Sequence, residues 1–161
     1  MDRPIGIYEE QGVTVNREAS GPLFGTLAPP CVSHSVAVLE RLLALNQGVR
    51  SVTVRCSPLG DLIEDAVAIQ ALGLLVHRWF RRMGHADYRL ITVFHQRMGG
   101  LPENGPKAFA ASSWAPPPPS LAAAEKAIVR RPYEAAGMLT KEANLQGLRA
   151  SRQIVSTLAD Q

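Results

Sequence analysis

The stretch AVLERLLALNQGVRSVTVRCSPLGDLIEDAV, residues 37–67, constrains the fold more than any other part of the chain. It runs from a helical pattern through Asn46-Gln47-Gly48 into alternating β-branched residues, breaks at Ser57-Pro58-Leu59-Gly60, and enters a second helical pattern. The two periods are not interchangeable, because a strand alternates its faces every residue and a helix returns to the same face every three or four. Val36, Leu39, Leu42 and Leu43 follow the helical period. Ser33 or Ser35 can cap that helix, and Gly48 can take the left-handed conformation that ends it. Val52 and Val54 alternate with Ser51, Thr53 and Arg55, which predicts a strand over 49–56 with one buried face. Asp61 then caps a helix reaching Arg82. Its early acids, Glu64 and Asp65, suit the positive helix end, and Gly84 closes it. Residues 88–96 alternate again and are predicted as the last strand.

The core is therefore helix–strand–helix–strand over 33–97. PLFGTL, 22–27, is available as a first strand, at an edge because of Pro22. The expected class is α/β, a β-α-β-α-β core in an α+β sandwich. Residues 1–21 form an N-terminal extension without sustained periodicity, and 22–98 form the domain. After Gly99-Gly100 the composition changes. Pro116 to Pro119 favour polyproline II, and two short helical patterns follow at about 120–130 and 140–158. The stretch 99–161 thus reads as a proline-rich linker and helical tail, too weakly apolar to fold alone.

Apolar residues make up 46% of the chain, enough for a core, while a net charge of +3 permits phosphate binding without requiring it. Of 17 basic residues 14 are arginine, whose planar fork suits phosphate and bases; a coding bias would give the same excess. Cys31 and Cys56 have no metal spacing, and the four histidines form no ligand pair. No cofactor or metal is implied. No apolar run is long enough to span a membrane, and the start MDRPIGIYEEQG lacks the basic helix of a leader. The expectation is an intracellular soluble protein with no membrane partner, its compartment left open among cytoplasm, nucleus and mitochondrion.

Leu45-Asn46-Gln47-Gly48-Val49, the strand ending near Arg55, and Gly60 to Ile63 followed by Ala66-Val67 resemble the Alba superfamily of chromatin and RNA-binding proteins over about 22–97. The resemblance implies helices on one side of a mixed sheet, a homo- or heterodimer through that domain, and a basic strand–helix loop near nucleic acid. The sequence departs from the pattern in three places. Pro30-Cys31-Val32 stands where the family has lysines, Asp61 follows Gly60, and little chain is left between Arg82 and Tyr88 for a long hairpin. Acidic groups in a contact loop remove phosphate affinity. The implied function is accordingly that of a degenerate member: a non-enzymatic RNA-binding or RNA-associated ribonucleoprotein subunit. Such a subunit resembles those of ribonuclease P and MRP, or a ribosomal or mitoribosomal protein. Arg50, Arg55, Arg78, Arg81, Arg82 and Arg89 are the candidate phosphate contacts, with Ser57 and Gly60 for close backbone approach. In the tail, Trp114, Tyr133, Leu145 and Leu148 are candidates for partner contact.

Plainer readings stand beside these. Arg78, Arg81 and Arg82 also suit a helix C-terminus on a solvated face, and Trp79 lies among apolar helix positions as a core residue would. A scaffold subunit without nucleic acid would use the same surfaces. An enzyme would place Cys56 or Ser57 as nucleophile at the strand–helix turn, with His34 or His77 as base. Asp61, Glu64 and Asp65 oppose that, since nearby acids disfavour a thiolate.

Overall fold

The computed structural model describes residues 3–18, 28–56, 61–96, 100–112, 124–132, 134, 137 and 140–159. In chain order the elements are α1 (Arg3–Glu10), β1 (Asn16–Glu18), α2 (Pro30–Asn46), β2 (Ser51–Cys56) and α3 (Leu62–Arg82). They continue with β3 (Arg89–His95), α4 (Gly105–Ser112), β4 (Lys126–Ile128) and α5 (Lys141–Ala159).

The local signals act as their chemistry requires. Asp61 accepts hydrogen bonds from the amides of Ile63 and Glu64 at 2.9 and 3.0 Å, so α3 starts where the cap was expected. Gly48 and Gly84 adopt φ of 89° and 86°, where a side chain would be strained. Pro29 and Pro30, rather than Ser33 or Ser35, set the start of α2. Its first turn contains Pro30, whose missing amide would have had no helical partner.

The four strands form one sheet in the order β1-β2-β3-β4, every neighbouring pair parallel. The α/β class holds, but the sheet is wholly parallel among the described residues rather than mixed. A sequential parallel order with right-handed crossovers stacks successive helices on one face. Consistent with that, α2 and α3 pack against each other and against β2. Val52, Val54 and Cys56 of β2 meet Ile69, Leu72, Val76 and Phe80 of α3 and Val38, Leu42 and Leu45 of α2 in the main core. Phe80 is fully buried, with the Tyr88 ring edge-on at 4.9 Å.

Two strands lie where no alternation was legible. β1 falls in the supposed irregular extension, and β4 replaces the helix expected over about 120–130 across its described part. The 22–27 segment lies outside the described residues. α5 matches the second tail helix and reaches the sheet through Ser151.

The sheet is strongly curled. β1 and β4 sit at opposite edges, three strand spacings or about 14 Å apart on a flat sheet. Yet Lys126 Nζ lies 2.5 Å from Glu18 Oε2. Both side chains stand on the face away from α2 and α3, so that face is concave.

Candidate functional site

The concave face is polar by construction. In parallel register Asn16 stands beside Ser51 and Glu18 beside Thr53, while Arg55 stands beside Val93 and Val93 beside Lys126. Asn16 donates to Ser51 Oγ at 2.8 Å and accepts from Thr53 Oγ1 at 2.8 Å, so the hydroxyls of β2 find partners on β1. Where the β1–β2 pairing ends, the buried Arg41 of α2 donates from Nε to the Thr53 carbonyl at 2.7 Å. Burial holds its pKa below the usual guanidinium value, a shift opposed by Glu40.

Toward the carboxyl ends of the strands the face becomes a charged cluster. Glu18 ends β1, Arg55 is the penultimate residue of β2, His95 ends β3 and Lys126 begins β4. Arg130 and Glu134 follow β4 and pair at 2.8 Å. Arg55 lies 3.8 Å from the other oxygen of Glu18. The hydrogen bond from Lys126 holds Glu18 below the ordinary carboxylate range, against its partial burial, with the charges of Lys126 and Arg55 assisting. His95 is buried and its pKa falls chiefly for that reason, with Arg55 and Arg130 also disfavouring the imidazolium. Its Nδ1 faces the Gln96 carbonyl at 2.7 Å and so carries the proton, leaving Nε2 as an acceptor. Arg55, Arg130 and Glu134 act electrostatically on His95, and His95 in turn acts on Glu18. Carboxyl ends of parallel strands are where α/β proteins gather their ligand-binding groups.

The arginines chosen from sequence are divided by the fold. Arg50 and Arg89 lie at the amino ends of β2 and β3, and Arg50 pairs with Asp87 at 3.4 Å. Arg89 is level with Ser51, four residues or about 13 Å along the strand from Arg55. Arg78, Arg81 and Arg82 are exposed at the end of α3, and Arg82 sits 5.5 Å from the Trp79 ring. Trp79 is itself 41% exposed rather than core. Only Arg55 joins the concave cluster. Leu145 and Leu148 are exposed on α5, while Ser57, Gly60, Trp114 and Tyr133 lie outside the described residues. Sequence reasoning missed Glu18, Lys126, Arg130 and Glu134, and took His95 and Gln96 only as strand residues. Its one signal was the polar ending of a strand, His95-Gln96.

The Cys56–His34 pair does form, at 3.8 Å, but on the helix side of the sheet. Burial and the Asp65 charge push the thiol up to about 12, and burial keeps His34 neutral. A thiol with that pKa is no nucleophile at neutral pH. His77 is elsewhere, 2.6 Å from the Tyr88 hydroxyl.

The family model of the methylaspartate mutase E chain (MutE) matches residues 1–161. The chain is 53% identical over 160 residues to the glutamate mutase epsilon subunit of Yersinia enterocolitica, covering 99% of this chain and 33% of that protein. It is 51% identical to that of Escherichia coli O157:H7, with the same coverage. With the Haloarcula marismortui subunit it shares 39% over 161 residues, covering 100% of this chain and 32% of that protein. The chain thus spans about a third of the length of the curated relatives it matches. These matches overturn the Alba resemblance. With it fall the RNA-binding, ribonucleoprotein, ribosomal and mitochondrial readings, the Alba-type dimer, and the expectation of a non-enzymatic protein. The resemblance rested on a helix–strand–helix period that every α/β fold of this kind repeats. Among the described residues no helix is long and apolar enough to cross a membrane.

Proposed function

The chain belongs to the methylaspartate mutase E chain family, and from that membership we propose that it forms one wall of a mutase active site that holds glutamate. The observation that carries this is the cluster of Glu18, Arg55, His95, Lys126, Arg130 and Glu134, level with the carboxyl ends of β2 and β3. Glutamate and methylaspartate are constitutional isomers, each with two carboxylates and an ammonium. Arg55, Lys126 and Arg130 outnumber Glu18 and Glu134 by one positive charge, which complements a ligand of net charge −1. The cations suit the carboxylates and the acids suit the ammonium.

The curl supports the same reading. A sequential, parallel, curled sheet with helices on its convex side is a segment of a (β/α) barrel, whose ligands sit at the carboxyl ends of the strands. The curated relatives are about three times as long as this chain, which leaves length for further strands to complete such a wall. The role of these residues is to bind and orient the charged ends of the substrate and to exclude water from it, a contribution made by position. Neutral His95, whose Nδ1 faces the Gln96 carbonyl, lies within electrostatic reach of Arg55, Arg130 and Glu134.

Calorimetric titration of the chain with L-glutamate and L-glutamine tests this. Binding of glutamate that weakens in Lys126→Met, with glutamine bound more weakly, is expected. Equal binding of both, or glutamate binding unaffected by Lys126→Met, contradicts it.

A further inference from the structure

We propose that Gln96 is a positioning residue that fixes the Arg130–Glu134 pair at the edge of the cluster; the link to substrate rests on the function proposed above. Gln96 directly follows β3 and is 2% exposed. Its amide donates to the Ile128 carbonyl at 3.1 Å, extending the β3–β4 pairing beyond the last register pair, His95 with Ile128. Arg130 lies two residues past that pair. Its amide is held by the Gln96 side chain, Oε1, at 2.5 Å. The other end of the same side chain, Nε2, donates to Ser151 Oγ of α5 at 3.3 Å, and Ser151 is buried too.

One planar amide thereby joins the segment after β4 to the helix that follows it. A buried amide leaves little freedom when both ends are engaged, because releasing either end exposes an uncompensated polar group to a dry environment. The consequence falls on Arg130. With its backbone amide anchored, its guanidinium reaches Glu134 at 2.8 Å and stays 15% exposed, close enough to His95 to act on its charge. Gln96 therefore acts through Arg130 and never needs to touch substrate. Among natural side chains glutamine suits the place because it offers an acceptor and a donor on one rigid plane.

The test is amide hydrogen exchange at Arg130 in the full chain, which needs no ligand. In the unsubstituted protein this amide is expected to be protected although it lies outside the strand. In Gln96→Leu its exchange should rise at least about tenfold, the scale of one lost buried hydrogen bond, while the amides of Val52 and Val54 hold. Gln96→Glu keeps an acceptor and should keep Arg130 protected. Ser151→Ala frees only the Nε2 end and should raise Arg130 exchange by less than Gln96→Leu does. Rapid exchange of Arg130 in the unsubstituted chain overturns the proposal without any variant. So does a rise in Gln96→Leu matched by the core amides, which marks a purely structural residue. If L-glutamate does not bind, the functional reading fails while the exchange result stands. If it binds and Arg130 is unprotected, the reverse holds.

Discussion

The Glu18 carboxylate on β1 accepts a hydrogen bond from Lys126 on β4 at 2.5 Å, across two intervening strands. The contact closes the concave face over its polar residues and brings the first and last strands of the sheet into one charged cluster. It is also a pair of partly exposed groups, the side chains 29% and 51% accessible, so its value lies in geometry more than in stability.

A double-mutant cycle of Glu18→Gln and Lys126→Met should give a coupling of about 0.5 kcal/mol, typical of a solvent-screened pair. The pH dependence has a fixed sign. Glu18 has a folded pKa below its unfolded value, so its contribution is present above about pH 4.5 and is lost as pH falls through the lower folded value. Chemical denaturation between pH 3 and 7 should show the difference between the native chain and Glu18→Gln vanishing at the acid end.

The two thiols should behave oppositely. Cys31 is exposed, whereas Cys56 is buried with its pKa pushed up to about 12. Iodoacetamide at pH 8 should label Cys31 in the folded chain and reach Cys56 only on unfolding, as peptide mass analysis would show. The linkage runs on the alkaline side. Stability from the protonated Cys56 is complete below the unfolded value near 9 and is lost as pH rises toward about 12.

Phe80→Ala should cost about 3 to 5 kcal/mol, since the ring is fully buried and leaves a cavity beneath Tyr88. A urea titration measures this directly. A loss below 1 kcal/mol would mean that α3 does not pack on the sheet as described.

What the sequence disclosed followed from period. β2, α3 and β3 are long enough to repeat their apolar pattern, and Asp61, Gly48 and Gly84 mark their ends. β1 and β4 are three residues each, Asn16-Arg17-Glu18 and Lys126-Ala127-Ile128, too short to show alternation, and β1 is polar throughout. They are strands because β2 and β3 offer them parallel edges. The candidate site was hidden for the same reason. Glu18, His95, Lys126 and Arg130 lie up to 112 residues apart in sequence and meet only when the sheet curls. The polar alternation Ser51, Thr53, Arg55 looked like a solvated face, when in fact Ser51 and Thr53 are buried against Asn16 of β1. Arg55 was chosen for phosphate, and its position in the cluster suits a carboxylate equally well.

The central claim, that the curled face binds an acidic amino acid at its strand ends, is tested most directly by nuclear magnetic resonance of the labelled chain titrated with L-glutamate. The account expects saturable shifts of the His95 ring and the Arg130 amide, with the Phe80 amide unmoved. An unchanged His95 and Arg130 at saturating glutamate, or the same response to a neutral amino acid, would contradict it.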